Sequence, residues 1–282
     1  MLARHMLRAA LLMILGMSLI PLGDSAGKLL TSTSGVSPVF VAWSRFALGA
    51  FLLLPFLQRR HFDARALVDP RAVFRGLLIT GGVVSILTAL QTEPLPNVFG
   101  AFFIGPILSV ALSALLLRES VRPARLALLA LGFSGVLLVV KPGFGMTPGL
   151  GFAVLAGAFY GSYLAASRWL AEAWPPRTLL LSQLMAGAVV LAPFGLAALP
   201  PLSPRLAGLV LLSAGASMAG NLLLILAYKR APASRLAPFV YFQLVAATVY
   251  GFAVFGDVPD ALTWLGLGLL AASGFASLGL RR

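Results

Sequence analysis

Ten runs of mostly apolar residues follow one another along the chain, near 9–30, 38–57, 73–91, 97–117, 124–140, 149–168, 178–198, 206–228, 236–255 and 261–280. A bilayer core about 30 Å thick is crossed by a helix of about 20 residues, the length of these runs. The separators are short and built of Pro, Gly, Ser and charge, which end helices and leave no room for a soluble domain. Within lipid a helix satisfies its own backbone hydrogen bonds. The expected fold is therefore an all-α integral membrane protein with ten transmembrane helices in the lipid bilayer. Composition points the same way, with 60% hydrophobic residues, 10% charged residues and a mean hydropathy of +0.98. Packed membrane helices also make use of the 29 Gly and 19 Pro, for close approach and for breaks.

The first run has the Arg4/Arg8 flank of a signal peptide, but it continues through Asp24 and Lys28 without a small-residue cleavage site, so it reads as a permanent helix. Orientation follows from the cations. Arg4 and Arg8 precede helix 1, and Arg59, Arg60, Arg65, Arg71 and Arg75 lie between helices 2 and 3. Arg118, Arg122 and Arg125 follow helix 4, Arg168 and Arg177 follow helix 6, and Lys229, Arg230 and Arg235 follow helix 8. With Arg281 and Arg282, all of these share one side if there are ten spans, whereas Lys141 and Arg205 fall on the other. Both termini are then cytoplasmic, and the protein sits in the inner membrane. The net charge of +13 is accounted for by orientation, without nucleic acid. There is no Cys, and His5 and His61 both sit in short basic segments, so neither a metal nor a cofactor is expected.

Adding 138 to a position in the first half lands repeatedly on a similar residue in the second. Gly23 falls on Gly161, Pro38 on Pro176, Ser44 on Ser182, Gly49 on Gly187, Pro55-Phe56 on Pro193-Phe194, Gly82 on Gly220, Pro94 on Pro232 and Glu119 on Asp257. The chain thus divides into residues 1–141 and 142–282, each a unit of five helices. Five is odd, so the second unit starts on the opposite side and the halves are inverted. Inverted repeats place a substrate site near the midplane between them and allow rocking between two states.

These features resemble the EamA family of the drug/metabolite transporter superfamily. The likeness is carried by Pro94-Leu95, Pro106 and Leu117-Arg118-Glu119, then by Gly132, Gly135-Val136 and Lys141-Pro142-Gly143. A weaker second copy reads Pro232, Phe239, Gly256-Asp257, Leu265-Gly266 and Gly274. The opening Asp24, Lys28 and Trp43-Ser44-Arg45-Phe46 looks like the branch of riboflavin, S-adenosylmethionine and metallophore carriers. The resemblance implies ten helices, a cavity among helices 1–4 and 6–9, and helices 5 and 10 as packing elements. Asp257 stands where the family usually has Glu, and no clear proline matches Pro106 in the second copy, so close symmetry of the site is not implied.

An ionisable residue inside the membrane costs several kcal/mol and is a functional candidate. Asp24 and Arg45 each lie ~10 Å from the outer side, on helices 1 and 2, and can meet. Lys28 stands one turn above Asp24. Arg45 or Lys28 would bind an anionic substrate group, and Asp24 an amine or a coupling proton; alternatively the Asp24–Arg45 pair only fixes two helices. Pro21 is expected to kink or open helix 1 beside Asp24, and Pro106 and Pro238 to act similarly in helices 4 and 9. Gln91, Tyr163, Asn221, Tyr241 and Gln243 complete the candidate substrate contacts, with Gln183 as the repeat equivalent of Arg45. Glu119 and Asp257 read as local caps. Small residues in helix 5 (Ala130, Ser134) and helix 10 (Gly268, Ala272) would suit a homodimer or ordinary packing. The function these features favour is a secondary transporter for a small polar metabolite. An amino acid, a vitamin or a related anionic or zwitterionic compound would fit, moved by alternating access. An embedded enzyme lacks a nucleophile with a base, paired carboxylates or a metal cluster. A channel or structural subunit lacks a visible filter or ring of like groups.

Overall fold

The computed structural model describes residues 2–58, 63–116, 123–141, 143, 145–170, 173–201, 203–230 and 236–279. His61 and Glu119 lie outside the described residues, as do several of the connecting arginines. The described residues form twelve α-helices. They are α1 (Leu2–Lys28), α2 (Pro38–Leu53), α3 (Ala64–Val68), α4 (Pro70–Leu90), α5 (Leu95–Phe102), α6 (Ile104–Leu116), α7 (Pro123–Val140), α8 (Pro148–Trp169), α9 (Pro176–Ala197), α10 (Pro204–Tyr228), α11 (Phe242–Tyr250) and α12 (Ala261–Gly279). No strand occurs among the described residues. Among the described residues, seven helical segments are long and apolar enough to cross a membrane: Leu7–Thr33, Pro38–Phe56, Pro70–Leu90, Leu95–Leu116, Pro148–Ser167, Pro176–Ala197 and Pro204–Tyr228. Three further apolar segments, Leu126–Val140, Phe239–Phe255 and Ala261–Ala276, are shorter.

Proline is spent chiefly at helix starts. Pro38, Pro70, Pro176 and Pro204 occupy the first turns of α2, α4, α9 and α10, where a missing N–H costs no hydrogen bond. Asp69 and Ser203 add side-chain caps, accepting from Arg71 N at 2.9 Å and Leu206 N at 3.2 Å. The Asp69-Pro70 start moves α4 earlier than the hydrophobic run suggests. Arg71 and Arg75 therefore belong to the helix, not to the connection before it. The expected opening at Pro21 does not occur, and α1 runs unbroken through it. Its regularity changes later, in a π-helical turn over Leu29–Thr33, and a second π-helical turn over Gly251–Phe255 follows α11. Gly256, at φ +69, ends that turn in the left-handed region. The α5–α6 segment does break, at Phe103, three residues before Pro106. Pro106 cannot donate to the Phe102 carbonyl one turn back.

The bundle is built on pairs. α1 lies against α10 and α11, and α8 against α4 and α6. α2 packs on α9 and α10, α4 on α9, and α7 on α12. Phe99, Leu30, Leu53, Leu87, Leu90 and Leu95 are among the fully buried side chains at the centre. Large apolar residues such as Leu15, Phe51, Val189, Phe194 and Phe275 are exposed on the outside, as a lipid-facing surface requires. Ala130, Ser134, Gly268 and Ala272 are also exposed, away from the α7–α12 contact.

Glycines set how closely the pairs approach. A Cβ on Gly16 would lie 3.0 Å from the Gly220 carbonyl, one on Gly161 2.5 Å from the Gly105 carbonyl, and one on Gly135 2.7 Å from the Gly266 carbonyl. These obstacles are backbone, so they yield only if helices separate. Gly208, by contrast, has open space beside it. Gly161→Ala is expected to lower the thermal midpoint of the purified protein by several degrees. Gly208→Ala should be neutral or stabilise by up to about 1 kcal/mol through helix propensity. Melting curves of both variants in one detergent check the contrast.

Candidate functional site

Among the described residues, three buried cations organise the interior, and each reaches across the chain from residues before 141 to residues after 147. The first is Arg45, on α2, only 7% exposed. Its Nη1 donates to Asp24 Oδ1 at 2.5 Å, its Nη2 to the Gly23 carbonyl at 2.7 Å, and its Nε to Ser213 Oγ at 2.7 Å. Ser213 Oγ in turn donates to the Gly23 carbonyl at 3.0 Å. Asp24 and Ser213 are buried as well. The guanidinium fits because Gly27 leaves it room, since a Cβ there would stand 2.5 Å from Nη2. All three nitrogens are thus engaged, and α1, α2 and α10 are tied at one point.

The second is Lys28, at the end of α1. It does not join Asp24. Its Nζ donates to Asp257 Oδ2 at 3.0 Å and to the Glu93 carbonyl at 2.9 Å, and lies 4.6 Å from the centre of the Phe255 ring. Asp257 Oδ2 also accepts from Leu95 N at 3.2 Å. Asp257 is therefore not a local cap but a long-range partner of Lys28. The Glu93 side chain, buried beside it, accepts from Thr147 Oγ1 at 2.5 Å, and Thr147 Oγ1 accepts from Leu150 N at 3.1 Å in the first turn of α8. At the same end of the bundle, Lys141 pairs with Asp260.

The third is Arg75, which sequence reasoning left in a connection. It is 7% exposed, and its Nε donates to Ser167 Oγ at 2.7 Å, its Nη1 to the Leu179 carbonyl at 3.1 Å and its Nη2 to Tyr163 OH at 2.6 Å. Its guanidinium carbon stands 4.4 Å from the centre of the Tyr163 ring. Tyr163 OH donates to Gln183 Oε1 at 2.9 Å. From Tyr163 a series of rings continues through Tyr160, 5.9 Å away and stacked, to Phe102 at 4.8 Å. The signal that would have found Arg75 is the Asp69-Pro70 helix start, which places it inside α4.

The remaining candidates stand apart from these networks. Gln91 is exposed at the end of α4. Asn221 Nδ2 donates to the Ser217 carbonyl at 2.8 Å. Tyr241 packs between Phe103 at 5.3 Å and Phe275 at 6.2 Å. Gln243 is buried, with no hydrogen-bond partner among the described residues.

Charge at the far end of the bundle is handled at the surface. Asp69 accepts from Arg71 Nη2 at 3.1 Å and from Trp174 Nε1 at 2.9 Å. These bonds, Arg71's first, hold its carboxyl well below the usual carboxylate range.

A solved crystal structure superposes on this chain over 97% of both, with a TM-score of 0.67 and 20% identity, so the bundle architecture recurs. The model of the EamA-like transporter family matches residues 7–141 and again residues 147–278. The chain belongs to the EamA-like transporter family. It is a multi-pass membrane protein and a transporter rather than an enzyme. Among its relatives, the riboflavin transporter of Rhizobium johnstonii is 29% identical over 79% of this chain and 76% of its own. The riboflavin transporter of Vibrio cholerae is 27% identical over 95% and 92%. The S-adenosylmethionine uptake transporter of Rickettsia prowazekii is 26% identical over 79% and 76%.

Two outcomes test these charge networks. Asp24→Asn leaves Arg45 buried without a counter-charge and should cost about 3–5 kcal/mol, whereas adding Arg45→Gln should restore part of that loss. A double-mutant cycle on thermal midpoints measures both. Asp69→Ala should cost about 1 kcal/mol as a lost cap. Because the folded pKa of Asp69 is depressed, its charge contributes stability above about pH 4, and this is lost as pH falls toward the folded value. The difference between native and Asp69→Ala midpoints should therefore narrow only in acid.

Proposed function

We propose that this family member is a secondary carrier. It moves a small polar metabolite, an amino acid, vitamin or related anionic or zwitterionic compound, across the inner membrane by alternating access. In this reading the ten apolar segments are ten spans, residues 1–141 and 142–282 are two inverted repeats, and both termini are cytoplasmic. A homodimer would use the exposed small residues of α7 and α12.

The observation that carries the proposal is the reciprocity of the helix pairs. Exchange each span of one half for its counterpart in the other. The contact of α1 with α10 becomes that of α8 with α4, and α1 with α11 becomes α8 with α6. The contact of α2 with α10 becomes α9 with α4, while α2–α9 and α7–α12 map onto themselves. A two-fold relation between the halves produces this exchange; with five spans in each half its axis would lie in the membrane plane, and such halves can rock about a shared site. The buried cations supply polar attachment between the halves, and a carrier must break and remake contacts of this kind.

Asp24, Lys28, Arg45, Gln91, Tyr163, Asn221, Tyr241 and Gln243 are the proposed substrate contacts. Their surroundings divide the work. Among the described residues, Gln243 has amide capacity to spare and Asn221 uses only its Nδ2. Asp24 and Arg45 satisfy each other, so they would act by exchange, with a proton on Asp24 or a substrate carboxylate at Arg45 releasing the other. The relatives named for riboflavin and S-adenosylmethionine favour a substrate with a planar heteroaromatic ring, which the Phe102, Tyr160 and Tyr163 rings suit by stacking.

Comparing metabolites inside and outside cells that express the native chain, Arg45→Ala or an empty vector tests transport. A small set of compounds should be redistributed by the native chain and not by Arg45→Ala at equal membrane expression. No redistribution in any medium would defeat the carrier reading. Orientation is checked with single thiols, because the chain has no Cys. Ser34→Cys should react with an impermeant maleimide in intact cells, and Ala64→Cys only after permeabilisation.

A further inference from the structure

Arg75 differs from the other buried cations. Lys28 faces Asp257 and Arg45 faces Asp24. No carboxylate of a described residue lies within 4.0 Å of Arg75. Its partners are a hydroxyl, a phenol and a carbonyl, and they use three of its five N–H groups. Arginine does not lose its proton in proteins. Arg75 sits about 8 Å along α4 from the start of that helix, in a position where an unpaired charge is costly.

The spacing of 138 residues relates this cluster to the ion pair. Gly23 corresponds to Gly161, Asp24 to Ser162, Arg45 to Gln183, and Arg75 to Ser213. In the first cluster the arginine comes from α2 and the neutral partner, Ser213, from α10. In the second the arginine comes from α4 and the neutral residue, Gln183, from α9. The same positions are used with cation and neutral group exchanged. The carboxylate has no counterpart, because Ser162 stands in its place and donates to the Ala158 carbonyl at 2.9 Å. Gln183 Oε1 is taken by Tyr163, and its Nε2 donates to no described residue. Among the described residues, two guanidinium N–H groups and one amide NH₂ are therefore left as donors beside a row of aromatic rings.

We propose that Arg75, Tyr163 and Gln183 form an oxyanion subsite, filled by the carboxylate or phosphate of the transported substrate. The substrate's charge takes the place that Asp24 occupies in the ion pair. The ring of the same molecule stacks along Tyr163, Tyr160 and Phe102. This inference rests on the carrier reading and adds to it the charged end of the substrate.

A binding group and a structural tie respond differently to mutation. With no ligand present, Arg75→Gln removes a cation that no described carboxylate pairs, and Gln183→Glu supplies an internal anion by an isosteric change. Both should melt at or above the native midpoint in the purified full-length protein, whereas Arg45→Gln should melt below it. Arg75→Gln melting as far below native as Arg45→Gln would make Arg75 a structural tie and overturn the inference. In the cellular metabolite assay, the compounds moved by the native chain should carry a carboxylate or phosphate. Their redistribution rate should fall about tenfold or more in Arg75→Gln and Gln183→Glu, and Arg75→Lys should retain part of it. Transport that persists in Arg75→Gln would leave the carrier reading standing and remove the subsite. A native chain that moves nothing defeats both. Inorganic phosphate alone, added to the purified protein, should leave the native midpoint unchanged. If it raises that midpoint as much as the transported compound does, the site belongs to a free anion and not to the substrate.

Discussion

A charge among apolar helices has no water to fall back on, so the helices around it are constrained to supply its partners. Arg45 meets this demand with three bonds to three residues on two other helices, and α1, α2 and α10 are held in register by it. Glycine makes the arrangement possible. Gly27 opens the space for the guanidinium, and Gly23 offers a carbonyl that both Arg45 and Ser213 use. Polar satisfaction and close packing are here a single requirement, because the bonds form only if the backbones come near enough. A pair of this kind is weak evidence for stability in itself. Its contribution lies in fixing which helices meet and at what height.

Much of the fold was legible because lipid imposes a length on each apolar run and Pro marks where a helix begins. The seven long helical segments fall close to the runs in the sequence. The meeting of Asp24 and Arg45 was legible too, since both sit at the same depth on successive antiparallel runs. The fate of Lys28 was not. Its position one turn from Asp24 points to a shared site, but a side chain at the end of α1 can reach residues far away in sequence, and Asp257 and the Glu93 carbonyl win it. Arg75 was hidden for a different reason. Hydropathy averages over a window, and a cation in the second turn of α4 reads as loop unless the Asp69-Pro70 start is weighed. Pro21 shows the limit of residue-by-residue rules, since α1 passes through it unbroken.

The three networks also differ in how they are closed. Around Arg45 every side-chain nitrogen is engaged and the charge is balanced. Around Lys28 the carboxylate is shared with the backbone N–H of Leu95, so the pair joins the end of α1 to the start of α5 as well as to the segment after α11. Around Arg75 hydrogen bonds are plentiful, and no described residue supplies a counter-charge within 4.0 Å. The three networks thus range from saturated to open, and they give the interior a chemical variety that a row of apolar helices would lack.

The two π-helical turns give the Lys28 end a mechanical property. Leu29–Thr33 follows Lys28 directly, and Gly251–Phe255 ends two residues before Asp257. Each holds one residue more per turn than an α-helix, in a form that is rarely stable without tertiary support. Rewinding either turn to α geometry would rotate what lies beyond it by about 100°, the angle per residue of an α-helix. At the Gly251 turn that rotation would carry Asp257 away from Lys28. The ion pair at this end of the bundle is therefore anchored just beyond a coil wound one notch looser than its neighbours.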